Sequence, residues 1–177
     1  MRKNKYIFLL IVALHVACNT PNKPNPPVEA IVDSVYTEAD FRYYGDYYGS
    51  GHQVFAIDML SEGLDYDSVY HITGTGYNLF LSDIFVAGKD SVLPAGHYVM
   101  DSVANDRTFL RGMQFDGNIT GCYLLKIVEN QIQQILLFHT GDMIIDYVGD
   151  NVVVKLNLCT EKLQSYHFSF EGSTNYR

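Results

Sequence analysis

Apolar and polar residues alternate along most of this chain, in short segments that glycine- and aspartate-rich turns separate. The clearest segment is 152–158, in which Val152, Val154, Leu156 and Leu158 share one face. Segment 166–171 repeats the pattern with aromatic residues. A period of two residues is typical of a half-buried β-strand, and no convincing long helical stripe is present. The pattern therefore predicts an all-β fold.

About ten such segments follow one another closely along the chain. The predicted strands are 41–48, 53–60, 76–85, 96–102, 108–115, 122–128, 132–138, 143–148, 152–158 and 166–171. Predicted turns include 49–51, 139–142 and 149–151. Strands so close in sequence pair mostly with their neighbours, which predicts an antiparallel meander. To remove its edges, such a sheet closes into a lipocalin-like barrel or, as the alternative, folds into a β-sandwich.

The first residues have the layout of a secretion signal. Arg2, Lys3 and Lys5 precede the apolar run 6–14, which is shorter than the roughly 20 residues that a membrane-spanning helix needs. Small Ala17 directly before Cys18 is typical of a lipobox, although His15 stands where leucine is usual. We predict that 1–17 is a signal peptide and that Cys18 becomes the lipid-carrying N-terminus. Plain secretion and an uncleaved anchor are the alternatives.

This prediction divides the chain into three parts. The signal peptide is followed by a tether at 18–33, whose prolines favour an extended course, and by one all-β domain at 34–177. Several acyl chains on one cysteine hold a protein firmly to a bilayer. We therefore expect the membrane as a partner, through Cys18, and a place in the cell envelope at the outer membrane. Whether the domain faces the cell surface or the periplasm stays open.

Charge and motifs exclude several classes of partner. Three of the 12 Lys and Arg residues lie in the signal peptide, so the mature chain has 9 basic and 20 acidic side chains and a formal charge of −11. Nucleic acid is therefore not expected as a partner. The sequence lacks the spacing of a zinc site, and we expect neither a metal nor a cofactor. His52, His71, His97, His139 and His167 are scattered, and no catalytic residue is assigned.

Two cysteines remain beyond the anchor. Cys122 and Cys159 both lie in predicted strands. Export makes a disulfide between them feasible. Two buried free thiols are the alternative, because cysteine is a common core residue.

Four tyrosines fall in the first predicted strand. Tyr43, Tyr44, Tyr47 and Tyr48 alternate so that each face carries two of them. Aromatic rings with a polar rim suit sugar stacking, and Tyr44 and Tyr48 could form a binding platform. The alternative is that tyrosine simply favours strands and half-exposed surfaces.

Several segments resemble a recurring type of uncharacterised lipoprotein from Bacteroidetes-type bacteria. They are FRYYGDYYGSGHQVFAIDM at 41–59, LPAGHYVMD at 93–101, GDMIIDYVGDNVVVKLNL at 141–158 and YHFSFEG at 166–172. The resemblance implies an envelope-anchored β domain and supplies no catalytic residue. Surface-exported members often carry acidic residues soon after the lipidated cysteine, and 19–27 contains none.

Three classes of function follow. The first is a non-catalytic binding or accessory lipoprotein that holds a glycan or a small apolar ligand. The second is a structural or adhesion component that contacts another envelope protein. The third is a hydrolase with dispersed catalytic residues. The oligomeric state is left open.

Overall fold

The computed structural model describes residues 36–69 and 71–176. The predicted signal peptide, Cys18 and the tether lie outside these residues. The described residues form β-strands and no helix, which confirms the all-β prediction. The strands are β1 (Tyr36–Gly45), β2 (His52–Ser61), β3 (Leu64–Tyr66), β4 (Ile72–Gly74), β5 (Gly76–Ala87), β6 (Gly96–Asp101), β7 (Thr108–Leu110), β8 (Met113–Phe115), β9 (Asn118–Thr120), β10 (Cys122–Val128), β11 (Gln131–Val148), β12 (Asn151–Thr160), β13 (Ser165–Gly172) and β14 (Asn175–Tyr176).

Five of the strands close into a barrel. β10 pairs antiparallel with the first parts of both β5 and β11. Further along the same two strands, β6 pairs with β11 and β7 pairs with β5. Because β6 and β7 also pair with each other, in parallel, the circuit is complete. The predicted barrel is confirmed in this form.

The remaining long strands extend the barrel wall on both sides. β2 pairs with the free edge of β5, and β1 pairs with β2. On the other side β12 pairs with β11, and β13 pairs with β12. These neighbours are consecutive or nearly consecutive in the chain and antiparallel, as the meander predicts. The short strand β14 pairs with β1 in parallel.

Side chains fill the interior of the barrel. Phe41, Phe55 and Phe138 have no exposed surface. The ring of Phe138 meets those of Tyr166 and Phe168 edge-on, at centroid distances of 5.5 and 5.8 Å. A recess of about 90 Å³ lies beside Leu124 and Tyr166, well below the roughly 300 Å³ at which sites for drug-sized ligands begin. A more open depression of about 320 Å³ adjoins it at Gln134 and Leu136. The outer face is therefore the place to look for a binding site.

One predicted turn is wrong. Residues 139–142 do not separate two strands, because β11 runs unbroken through them for 18 residues. A register shift between Phe138 and Thr140 in the pairing with β12 marks a bulge at His139. Gly141 brings the backbone so close to β12 that a Cβ atom would collide with the carbonyl oxygen of Asn157. A bulge bends a strand without ending its ladder, so the glycine serves a close approach rather than a turn.

Other strands also differ from prediction. β1 begins at Tyr36 and ends at Gly45, so the predicted strand 41–48 is displaced towards the N-terminus. Predicted strand 108–115 is two strands, because the amide of Gly112 between them bonds to the carbonyl of Phe138, at 2.7 Å. The hairpin of β3 and β4 was not predicted. It covers a small apolar cluster that includes Leu60 and Leu125.

The two cysteines of the domain are free thiols. Cys122 is buried in the barrel core, and burial raises its pKa. Cys159 is half-buried and lies 3.9 Å from the hydroxyl of Ser165. The cysteines lie on β10 and β12, which β11 separates, so the sheet does not place them side by side.

Candidate functional site

A groove with a volume of about 240 Å³ lies on the outer face of β1, β2 and β5. We call it the tyrosine groove. It is lined by Tyr44, Tyr47, Tyr48, Val54, Ala56, Phe80, Ser82 and Asp83. Three tyrosines, a phenylalanine and two aliphatic residues thus surround one hydroxyl and one carboxylate.

The aliphatic floor of the groove comes from β2. Val54 and Ala56 alternate with the core residues Phe55 and Ile57, so they point away from the barrel interior. They are nevertheless only 2% and 1% exposed. The aromatic side chains of the groove cover them. This part of β2 therefore carries apolar side chains on both of its faces, which is typical of a strand whose outer face is also covered.

The turn after β1 supplies two of the tyrosines. The carboxylate of Asp46 accepts hydrogen bonds from the amides of Ser50, at 2.8 Å, and Gly51, at 3.1 Å. Aspartate commonly closes a turn in this way. The turn carries Tyr47 and Tyr48 back to the face on which Tyr44 lies, one residue before β1 ends at Gly45.

The tyrosine rings meet at steep angles. The rings of Tyr44 and Tyr47 have centroids 6.4 Å apart and an interplanar angle of 63°. Those of Tyr47 and Tyr48 are 5.0 Å apart and nearly perpendicular, at 89°. Tyr48 also rests against Phe85, which β5 contributes, at 5.9 Å. The tyrosines therefore line the groove at different inclinations rather than forming one flat surface.

Asp83 forms the polar rim of the groove. One carboxylate oxygen accepts the hydroxyl of Tyr48 and the other accepts that of Ser82, both at 2.6 Å. The bond to Asp83 is the main reason why the pKa of Tyr48 is raised to about 12. Ser82 is held in turn by the amide of Gly121, which donates to its hydroxyl at 2.8 Å. The carboxylate is thus fixed in direction.

The backbone at Asp83 is strained. Its φ is +57°, in the left-handed region that costs a non-glycine residue on the order of 1 kcal/mol. The strain coincides with a register shift between β2 and β5, where Phe55 pairs with Ile84 and Ile57 with Leu81. Such a bulge re-aims side chains, and strained residues cluster at binding sites. Here the bulge turns Asp83 towards the tyrosines.

A buried ionic cluster adjoins the groove. Arg42 binds Asp40 through Nε and Asp58 through Nη2, both at 3.0 Å. The amide of Asn78 donates a hydrogen bond to Asp58. Burial raises the pKa of Asp58 above its usual 3.8, while Asn78 and Arg42 act in the opposite direction. The guanidinium of Arg42 also lies 5.9 Å from the ring centroid of Phe80, which links the cluster to the groove.

The structure brings Tyr44 and Tyr48 together, although by a route that the sequence did not predict. They meet because the chain turns at Asp46, and not because they alternate on one strand. Tyr43 lies on the other face and packs against Phe55 at 5.2 Å. Asp83 was missed in the sequence. Its only signal is an acidic residue in the middle of an apolar strand.

Among the described residues, two histidines pair with a carboxylate. His71 binds Asp67, which lies four residues earlier in the chain, with 3.4 Å between Nδ1 and the carboxylate oxygen. His97 binds Asp142, at 3.1 Å, across the pairing of β6 and β11. Asp142 in turn accepts from Asn157, which pairs with His167 on β13 at 2.7 Å. These four side chains cross the outer face of four strands as a polar ladder. Within the described ranges, no group of three or more His, Cys, Asp or Glu residues is placed to hold a metal ion.

Comparisons with known proteins identify no family for this chain. No protein-family model, curated protein or solved structure matches this chain significantly. None of residues 36–69 and 71–176 belongs to a helix long and apolar enough to cross a bilayer.

Proposed function

We propose that this protein is a non-catalytic, lipid-anchored binding protein of the bacterial cell envelope, and that its tyrosine groove binds a glycan. The observation that carries the proposal is the combination of three exposed tyrosines that line one groove with a carboxylate held in a fixed direction. Sugars present C–H bonds on the faces of the ring and hydroxyls at its edge. Tyrosine rings suit the first group and Asp83 and Ser82 suit the second.

The dimensions of the tyrosine groove favour a small ligand. Its volume of about 240 Å³ lies below the roughly 300 Å³ at which sites for drug-sized ligands begin. The groove is open to solvent along the outer face, so a longer chain can continue beyond it. This supports one or two sugar rings of a longer glycan as the group that is bound.

Truncating Tyr48 should abolish most of the binding. Loss of a central aromatic residue typically costs about 2 kcal/mol or more, so Tyr48→Ala should weaken binding on the order of tenfold or more. The measurement is a glycan array with the full-length protein in detergent, followed by calorimetry on the best glycan. Phe115→Ala is the matched control, because Phe115 is 84% exposed on β8 and does not line the groove. The proposal fails if no glycan binds, or if the two variants bind equally well.

The hairpin of β8 and β9 favours contact with another envelope protein as a second candidate. Phe115 stands at its tip beside the half-exposed Met113. A large aromatic residue so exposed is a common anchor at protein interfaces. Phe115→Ala therefore also reports on this function, in a pull-down from envelope extracts, where it should lose a partner that Tyr48→Ala retains.

The anchor rests on the sequence alone. Because we propose that Cys18 carries the acyl chains, cells fed a labelled fatty acid should label the wild-type protein and not Cys18→Ser. The variant should also leave the membrane fraction, since the tether and domain supply no alternative anchor in this proposal. Labelling of Cys18→Ser would contradict the assignment, and Cys159→Ser serves as the control for loss of a thiol.

A further inference from the structure

We infer that the glycan bound in the tyrosine groove carries a positive charge, as a sugar with a protonated amine does. The inference rests on the proposed function and adds the chemical class of the ligand. The juxtaposition behind it is that of aromatic rings that line one groove at different inclinations and a carboxylate that has no cationic partner among the described residues.

The arrangement of the rings is the first argument. An aromatic ring is negative over its face and positive at its edge, so a face attracts a cation. A flat platform offers a ligand one such face. In the tyrosine groove the rings of Tyr47 and Tyr48 are nearly perpendicular and that of Tyr44 is inclined to Tyr47 by 63°. These rings contact one another edge to face and line the same groove, so a compact cation in the groove can lie against more than one of them, whereas the flat face of a neutral sugar can stack on only one.

The state of Asp83 is the second argument. Both of its hydrogen-bond donors, Tyr48 and Ser82, are neutral hydroxyls. Among the described residues it forms no salt bridge. Each carboxylate oxygen can accept a further bond, since two oxygens offer about four acceptor sites. The site thus holds one fixed negative charge that no side chain of the groove neutralises.

The cation that adjoins the groove, Arg42, does not change this balance. Arg42 is engaged by two carboxylates, Asp40 and Asp58, at 3.0 Å each. Its guanidinium lies 5.9 Å from the ring centroid of Phe80, so one aromatic ring that lines the groove already contacts a cation. Taken together, Arg42, Asp40, Asp58 and Asp83 carry an excess of negative charge. The net charge of the whole chain, −8 in the full sequence, also attracts cationic ligands.

A matched series of sugars tests the inference. The probes are the β-1,4-linked trimers of glucosamine, N-acetylglucosamine and glucose, titrated calorimetrically into the full-length protein at pH 6, where the amine of glucosamine is protonated. They differ in the group at one carbon and only the first is charged. We expect the glucosamine trimer to bind at least tenfold more tightly than both neutral trimers, and the preference to fall with added salt.

Variants separate charge from shape. Asp83→Asn removes the charge with little change in size, and it should reduce the preference for the amine to below threefold. Asp150→Asn is the matched control, because Asp150 is an exposed acid in the turn after β11, and it should leave the preference intact. Circular dichroism confirms that each variant is folded.

The outcomes distinguish the two proposals. Equal binding of the charged and neutral trimers overturns the charge inference and leaves the glycan function standing. The same holds if Asp83→Asn keeps the preference. If none of the trimers binds and the glycan array is also empty, the proposed function fails and the inference fails with it.

Discussion

Replacing Phe138 by alanine should destabilise the protein by about 3–5 kcal/mol, the range for a large aromatic side chain removed from a packed core. Phe138 has no exposed surface and contacts the rings of Tyr166 and Phe168. It also lies at the bulge where β11 changes partners, and its carbonyl accepts the amide of Gly112. Hydrogen bonds link the neighbouring strands at this point, so the cavity that the truncated side chain leaves cannot collapse easily.

Urea unfolding followed by circular dichroism measures this effect. Phe138→Leu is the control, because leucine fills most of the volume, and we expect it to cost less than half as much. Phe115→Ala removes the same side chain from the surface and should stay within about 0.5 kcal/mol of the wild type. A loss below 1 kcal/mol in Phe138→Ala would contradict the filled barrel interior.

Replacing Arg42 by methionine should cost about 3 kcal/mol at neutral pH. Breaking a buried ion pair typically costs about 3–5 kcal/mol, because an uncompensated charge stays behind. The lower end applies here, since the side chain of Arg42 is 31% exposed and water can approach the site. Asp40 and Asp58 both lose their cation, and the carboxylate of Asp58 is nearly inaccessible to solvent.

The loss of stability in Arg42→Met should depend on pH in a defined direction. Burial already raises the pKa of Asp58 in the folded protein above its usual 3.8, and Arg42 counteracts this. Without Arg42 the folded pKa rises further. A raised folded pKa contributes stability that is fully present below pH 3.8 and is lost as the pH rises through the folded value. The deficit of Arg42→Met should therefore shrink as the pH falls from 7 to 4.

Unfolding at pH 7 and pH 4.5 checks this prediction. The control introduces Arg42→Met into an Asp58→Asn background, where one of the two carboxylates is gone. There the substitution should cost less, and the cost should vary less with pH. A deficit in Arg42→Met that stays constant between the two pH values would contradict the role of Asp58.

Much of the fold could be predicted from local alternation. On β12, Val152, Val154, Leu156 and Leu158 are all buried, as the period of two residues predicts. The aromatic residues that alternate on β13 are buried too. Such patterns are readable because a strand with one buried face repeats its environment at every second position.

The errors arose where distant strands decide the local structure. The sequence 139–142 is rich in turn-forming residues, yet it lies inside β11, because β12 pairs with the backbone on both sides of the bulge and β6 pairs with it from Asp142 onwards. Gly112 interrupts a predicted strand because its amide is bonded to Phe138. Neither partner is near in the chain, so local propensity carries no information about them.

The candidate site also combines features that local sequence predicts with features that depend on distant strands. The tyrosines at 43–48 mark an aromatic segment in the sequence, since they lie within six residues of one another. Asp83 lies 35 positions after Tyr48, the partner of its hydrogen bond. Its orientation depends on a bulge in the pairing of β5 with β2. No local pattern specifies such a meeting.

By itself, the sequence determined the all-β class, most of the strands and the aromatic character of the segment that carries Tyr44 and Tyr48. These properties depend on the alternation of neighbouring side chains, which is local. Only the tertiary structure decided that β11 is unbroken, that the tyrosines line a groove and that Asp83 completes it. These depend on backbone pairing and on close approaches between strands that are far apart in the chain, and there the bulges and glycines set the register.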